Sequence, residues 1–345
     1  MRGMRVAAAM SVAALALAGC GSSTDSTSSA TGSSAAKTLK VGMAYDVGGR
    51  GDQSFNDAAA AGLDKPKTQL SADTKEATAV NNEPESAREQ RLQQLIDAGY
   101  TNVVAVGFAY APAVKKIAAA NPDVKFALID STDATGPNIE NLTFAEQQGS
   151  YLVGAAAALK SKTGNIGFIG GVNTDLIKKF EAGYVAGAKA VNPAIKVQVK
   201  YLTQFPEMSG FGDPAKGKTA AEGMYQQGAD VVYAAAGASG SGVFTAATSA
   251  GKMAIGVDSD QILTAPAADK ASIITSMLKK VDIATFDFIK SVADGKFVAG
   301  TKVYDLKVGG VGYSTTGGKM DDIKAKLDAY KQQIIDGKIV VPTKP

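Results

Sequence analysis

The sequence predicts an α/β protein of two doubly wound lobes with parallel sheets, and three observations carry that prediction. From Thr38 onward, short apolar segments alternate with segments of helical period, in two successive series. That alternation is the pattern of parallel strands covered by helices. The strand segments are apolar runs rather than every-other-residue alternations, as expected where both sheet faces are buried. Each series also opens on a strand followed by a double glycine, Gly48-Gly49 in the first and Gly170-Gly171 in the second. Both lobes would then present a glycine loop at the carboxyl ends of their strands, the ligand-binding end of such sheets.

The elements follow in order. Residues 39–45 form the first strand. Ser54 reads as a helix N-cap, with Asp57 three positions on completing a capping box. Residues 76–80 are a second strand, and Asn82-Glu83-Pro84-Glu85 opens a helix with Leu92, Leu95 and Ile96 on one face. A strand at 103–106, a helix at 111–120 and a strand at 125–129 complete the first series. The second runs through a small-residue helix at 147–159, a strand at 165–169, and a helix capped by Thr174 and ending at 191. Strands at 196–202, 230–235 and 253–257 then alternate with helices at 215–227 and 240–250. A strand at 272–277 and a helix at 279–293 are expected to cross back to the first lobe. The segment 303–313 and a helix at 320–335 should cross again. The lobes are therefore expected to comprise 38–145 plus about 275–300, and 146–274 plus about 301–345, joined as a hinged clamp.

The amino terminus carries its own pattern. Met1-Arg2-Gly3-Met4-Arg5 is basic, residues 6–17 are apolar but too short to span a bilayer, and Leu17-Ala18-Gly19-Cys20 has the form of a lipobox. Residues 1–19 thus read as a lipoprotein signal peptide, and Cys20, the only cysteine, as the lipidated residue. The segment 20–37 beyond it is nearly all Ser, Thr, Ala and Gly, the composition of a flexible tether. The body is expected on the extracytoplasmic side of a cell membrane, held by lipid.

Composition narrows the function. About 308 residues follow position 37, enough for two domains of ordinary size. Without Arg2 and Arg5 the 36 basic residues become 34 against 33 acidic, a net of +1 that argues against a nucleic-acid partner. The chain has no histidine, which removes Ser-His-Asp hydrolysis, histidine general-base chemistry and histidine-ligated zinc. No metal or cofactor site is expected.

The densest stretch is Asp46-Val47-Gly48-Gly49-Arg50-Gly51-Asp52-Gln53-Ser54-Phe55-Asn56, between a strand and a helix. Its glycines permit close backbone approach, its carboxylates accept hydrogen bonds, and Phe55 offers a ring face. It suits a polar ligand with a flat moiety, or equally an ordinary turn with Phe55 in the core. This stretch resembles the signature of the basic membrane protein (Bmp/Med/PnrA-like) family of bacterial substrate-binding lipoproteins. Six further motifs match in order: Phe144-Ala145-Glu146-Gln147-Gln148-Gly149-Ser150-Tyr151-Leu152-Val153-Gly154, Gly167-Phe168-Ile169-Gly170-Gly171, Phe180-Glu181-Ala182-Gly183-Tyr184-Val185-Ala186-Gly187, Ala235-Ala236-Gly237-Ala238-Ser239-Gly240-Ser241-Gly242, Ile255-Gly256-Val257-Asp258-Ser259-Asp260-Gln261 and Thr275-Ser276-Met277-Leu278-Lys279.

The resemblance implies the type I periplasmic-binding-protein fold and a monomeric receptor that delivers a small molecule, most often a purine nucleoside, to an ABC permease. It also implies that Phe55 stacks on the base. Asp46, Asp130 and Asp258 each end a predicted strand, which puts carboxylates at the cleft to accept from ribose hydroxyls. Asp52 and Asn56 belong to the same signature loop. Lys279, expected to begin a helix, would donate to the ligand or hold a carboxylate. Gly237 would let backbone touch ligand, and Phe211 would be a second stacking ring or a packing residue. Another solute (a sugar, an autoinducer-like sugar or a peptide) or a carboxylate-based nucleosidase or glycosidase is the alternative.

Two motifs are read as incidental. Arg50-Gly51-Asp52 spells an adhesion tripeptide but sits inside the glycine signature. Gly212-Asp213-Pro214-Ala215-Lys216-Gly217-Lys218-Thr219 fits G-x-x-x-x-G-K-[ST], yet Asp213 would face the phosphates and Pro214 lacks an amide donor. Asp213-Pro214 reads as a helix start instead.

Overall fold

The computed structural model describes residues 38–345, which form one compact unit. The signal peptide, Cys20 and the tether lie outside the described residues.

The first series comprises β1 (Lys40–Ala44), α1 (Phe55–Gln69), β2 (Asp73–Ala77), α2 (Glu85–Asp97), β3 (Asn102–Ala105), α3 (Ala111–Ala120), β4 (Lys125–Ile129) and β5 (Ile139–Phe144). The second comprises α4 (Glu146–Lys160), β6 (Asn165–Asn173), α5 (Asp175–Val191), β7 (Lys196–Gln204), α6 (Pro214–Gln226), β8 (Val231–Ala235), α7 (Gly240–Ala250), β9 (Met253–Asp258), α8 (Gln261–Thr264) and β10 (Ile273–Lys279). The chain ends with α9 (Val281–Ala293), β11 (Gly300–Tyr304), β12 (Val311–Tyr313) and α10 (Lys324–Ile335). Two sheets result, ordered β11-β5-β4-β3-β1-β2 and β12-β10-β9-β8-β6-β7. Every pairing is parallel except β10 with β12.

Burial explains the layering. Leu92 and Leu95 of α2 and Val114 and Ile117 of α3 close one face of the first sheet over Val103, Phe126 and Leu128. Ala220 and Met224 of α6 and Val243 and Phe244 of α7 do the same over Val232 and Ala254 of the second. The opposite faces, with α1, α4, α5 and α9, share one core that runs through both lobes from Val41 and Phe144 to Phe168, Phe288 and Leu327.

Several boundaries differ from expectation. Strand β2 begins at Asp73 rather than residue 76, because its register is set by β1, from Lys40↔Asp73 to Ala44↔Ala77. It is a half-exposed edge strand, so apolar content does not mark it. Strand β5 was not anticipated: its Glu140, Asn141 and Thr143 break the apolar run, although five of its six residues are buried. The strand expected at 272–277 stays in the second sheet, between β9 and β12. The chain crosses only after Lys279, when α9 packs on α1 and β11 pairs with β5; it returns between β11 and β12. Lys279 therefore ends a buried strand and does not begin a helix.

Caps were partly as read. Thr174 accepts from the Ile177 amide at 3.3 Å, and Asp213 accepts from Lys216 N at 3.0 Å with Pro214 at the first helical position. The G-x-x-x-x-G-K-[ST] match is thus a self-capped helix start, separated from β7 by the turn Met208–Phe211. The capping box at Ser54 is absent: the Ser54 side chain makes no cap bond, and Asp57 accepts from Gly51 and Gln53 amides instead.

Candidate functional site

Strand ends from both sheets converge on one pocket of about 560 Å³, part of it open to solvent. Asp46 follows β1, Gly107 follows β3 and Asp130 follows β4; Gly237 follows β8, Asp258 ends β9 and Lys279 ends β10. Phe55 and Asn56 enter from the first turn of α1, and Leu176, Ile177 and Phe180 from α5. All nine residues named from sequence, Asp46, Asp52, Phe55, Asn56, Asp130, Phe211, Gly237, Asp258 and Lys279, line this pocket.

Their roles differ from one another. Asp52 Oδ1 accepts from the amides of Ser54 and Asp57, and Oδ2 from the amide and side chain of Asn56, at 2.9–3.0 Å. Asn56 in turn accepts from the Asp46 amide at 3.1 Å and donates to Val47 O at 3.2 Å. Expected as ligand contacts, these two residues have their polar atoms engaged within the loop: Asp52 caps α1 and Asn56 ties the loop to β1. The adhesion tripeptide is likewise engaged, since Arg50 pairs with Asp64 at 3.0 Å and Glu76 at 2.9 Å.

Asp46, Asp130 and Asp258 keep acceptor capacity. Asp46 Oδ1 accepts from the Val47 amide at 2.8 Å. Its other oxygen lies where Gly107 permits it: a Cβ at Gly107 would stand 2.3 Å from Asp46 Oδ2, and Gly107 has φ +102°. Burial pushes the Asp46 carboxyl up to about 6, against the pull of the Val47 amide and Arg88. Asp258 is pushed up to about 7 by burial, against Lys279 and the Ser54 hydroxyl. Asp130 Oδ2 meets Lys279 Nζ at 2.6 Å, while its Oδ1 is buried with no hydrogen-bond partner among the described residues. Burial raises the Asp130 carboxyl against the pull of Lys279; the short contact has the geometry of a charged pair. Asp130 and Asp258 also hold left-handed backbone, φ +69° and +63°, a conformation uncommon for non-glycine residues that aspartate adopts more readily than most.

Lys279 organises the centre and is 2% exposed. Besides Asp130, Glu146 lies 3.2 Å from its ammonium. Phe55, Phe144 and Phe180 place their ring centroids 5.0, 5.0 and 5.5 Å from it. Burial works against its charge, but Asp130, Glu146 and Asp258 outweigh burial and raise its pKa above the ordinary lysine value. The ammonium thus holds carboxylates rather than reaching toward open space. Phe211 is half-buried and seated flush on Gly171, where a Cβ would stand 2.4 Å from its ring.

Sequence reasoning assigned no role to Phe180, Glu146, Gly107 or Phe108. Phe180 and Glu146 lie inside matched motifs, which was the available signal. Their common partner, Lys279, is some hundred residues away, so no local pattern marks them. Gly107 and Phe108 follow β3 in a segment without a motif. The assembly offers phenyl faces beside buried acceptors; among the described residues no cluster of His, Cys, Asp and Glu is arranged to hold a metal ion.

Comparison with known proteins agrees with this geometry. The family described as ABC transporter substrate-binding protein PnrA-like matches residues 39–344. The ABC transporter nucleoside-binding protein BmpA of Lactococcus lactis subsp. cremoris is 37% identical over 346 residues, covering 95% of each chain. An uncharacterised lipoprotein of Pyrococcus abyssi is 37% identical over 290 residues, 81% of this chain and 69% of that one. Among solved structures, an ABC transporter solute-binding protein from Aeropyrum pernix K1 superposes with a TM-score of 0.77 at 31% identity, covering 88% of this chain and 94% of that chain.

Proposed function

This chain belongs to the PnrA-like family of ABC-transporter substrate-binding proteins, and on that premise we propose that its cleft takes a purine nucleoside, without turnover, for transfer to a membrane permease. The observation that carries the reading is the pairing in one pocket of phenyl rings, half-buried Phe55 and Phe211 and buried Phe180, with strand-end carboxylates, above all Asp130, whose Oδ1 has no hydrogen-bond partner among the described residues. A base gains by stacking on such rings. A buried acceptor without a donor is costly, and a ribose hydroxyl is a donor of suitable size. Asp46 and Asp258 would accept further hydroxyl or amine protons. Four aspartates against one lysine in the lining disfavour a phosphorylated ligand, so nucleosides rather than nucleotides fit.

In the cell, this reading puts the body outside the cytoplasm, tethered through a lipidated Cys20. Closure of the lobes on ligand would form the surface the permease recognises, since a ligand moves a two-state clamp only through contacts that favour one state.

The test is calorimetry on residues 38–345, unfolded and refolded to strip carried-over ligand, against adenosine, guanosine, inosine, cytidine and ribose. Purine nucleosides should bind tightly and the others weakly. Absence of binding to every nucleoside would remove the ligand assignment. Release of free base during long incubation with inosine would overturn the receptor reading in favour of a nucleosidase.

A further inference from the structure

Beside the pocket, the side chains of Ser54, Ser259 and Gln261 join the lobes through protein atoms alone. Ser54 Oγ donates to Asp258 Oδ2 at 2.7 Å with Val257 O as a longer second acceptor at 3.3 Å, Ser259 Oγ donates to Ser54 O at 2.9 Å, and Gln261 Nε2 donates to Gln53 O at 3.0 Å. None of Gln53, Ser54, Ser259 and Gln261 lines the pocket. Three features make this more than incidental contact. Ser54 occupies the N-cap position of α1, yet its hydroxyl is turned away from the helix and Asp52 supplies the cap. Gln53 and Asp258, which accept junction bonds on opposite lobes, both hold left-handed backbone, φ +56° and +63°. Gln261 is braced from its own lobe, its Oε1 taking the Val257 amide at 2.8 Å, so its amide group is pre-aimed at the opposite lobe.

We propose that Ser54, Ser259 and Gln261 form a latch that holds the lobes shut beside the pocket and sets how long a ligand stays bound. They are positioning residues: Ser54 also orients the Asp258 carboxylate that lines the pocket. Because the bonds form only between closed lobes, they resist opening and leave approach of the ligand unaffected. The latch rests on the proposed nucleoside site only for its kinetic readout.

The experiment compares the wild-type protein with Ser54→Ala, Ser259→Ala and the double variant. Stopped-flow binding of the purine nucleoside gives rates, and small-angle scattering without nucleoside gives the radius of gyration. Each single change should speed dissociation about three- to tenfold, from the loss of one hydrogen bond, and leave association within about twofold. The radius of gyration should rise, most in the double variant, as open forms gain population. Melting temperatures check folding; if Ser54→Ala does not fold, Ser259→Ala, a half-buried site, decides. Unchanged dissociation rates in folded variants overturn the latch. If the wild type binds no nucleoside, scattering decides: an unchanged radius overturns the latch, and an increased one sustains it while only the nucleoside reading falls.

Discussion

Asp258 is where burial and ligand chemistry pull against each other. It faces Lys279, Ser54, Asp130 and Asp52, and burial holds its carboxyl up at about 7; Asp46 is held at about 6. In the unfolded chain both would titrate at about 4. The native state therefore keeps protons that the unfolded state has released, and these two groups favour folding more as pH falls from about 7 toward 4. The ionised carboxylate is the stronger acceptor for a hydroxyl, so affinity should move the other way. Between pH 8 and 5.5 we expect nucleoside affinity to fall about tenfold while this part of the stability rises, with Asp258→Asn flattening the affinity profile. Affinity that climbs on acidification would take the carboxylates out of ligand recognition. Phe55→Ala should cost about 1–3 kcal/mol of binding if the ring carries the base, measured by the same calorimetry. An affinity that survives the change would assign the ring to packing around Lys279. Most site residues were legible because they sit where motif meets strand end. Lys279 was named but misplaced: its strand and the next helix are contiguous in sequence, and only pairing with β12, through Lys279↔Val311, shows where the strand stops.

At the scale of elements, the two helix starts at Thr174 and Ser54 look alike in sequence and behave differently. Thr174 caps α5 with its own side chain, whereas Ser54 leaves α1 to Asp52. Thr174→Ala should therefore cost about 1 kcal/mol of stability in denaturant unfolding. Ser54→Ala should cost α1 no cap energy, its effect being on binding kinetics. Equal destabilisation at both sites would return Ser54 to an ordinary capping role. Sequence shows that a capping residue is present at position 54, but the direction of its hydroxyl depends on Asp258, more than two hundred positions away. Strands β2 and β5 teach a related point. Edge position lets β2 be polar, while β5 buries Asn141, whose side-chain amide donates to Ala134 O at 2.9 Å.

The whole molecule couples its lobes through one shared core and through the chain passages after β5, β10 and β11. A ligand held by both lobes should then stabilise both. At about a hundredfold excess over its dissociation constant, a purine nucleoside should add about 2.7 kcal/mol and move a single calorimetric transition upward. Two separate transitions, with only one responding, would mean that the lobes unfold independently and that the ligand contacts mainly one.

What the sequence by itself determined is the local and the periodic. Strand-helix alternation, glycine loops at strand ends and the run of motifs specify two parallel-sheet lobes and name the residues at the cleft, because each signal lies within one stretch of backbone. The tertiary structure decided which strands share a sheet, where the chain changes lobe, and what each named side chain does. Asp52 and Asn56 became braces, Lys279 became the buried centre of a carboxylate and phenyl cage, and Ser54 turned toward the other lobe. The physical reason is that a side chain's role is set by its partners. Asp52 and Asn56 are fixed by groups of their own loop, whereas Asp130 meets Lys279 and Asp258 meets Ser54 only when both lobes have folded and met.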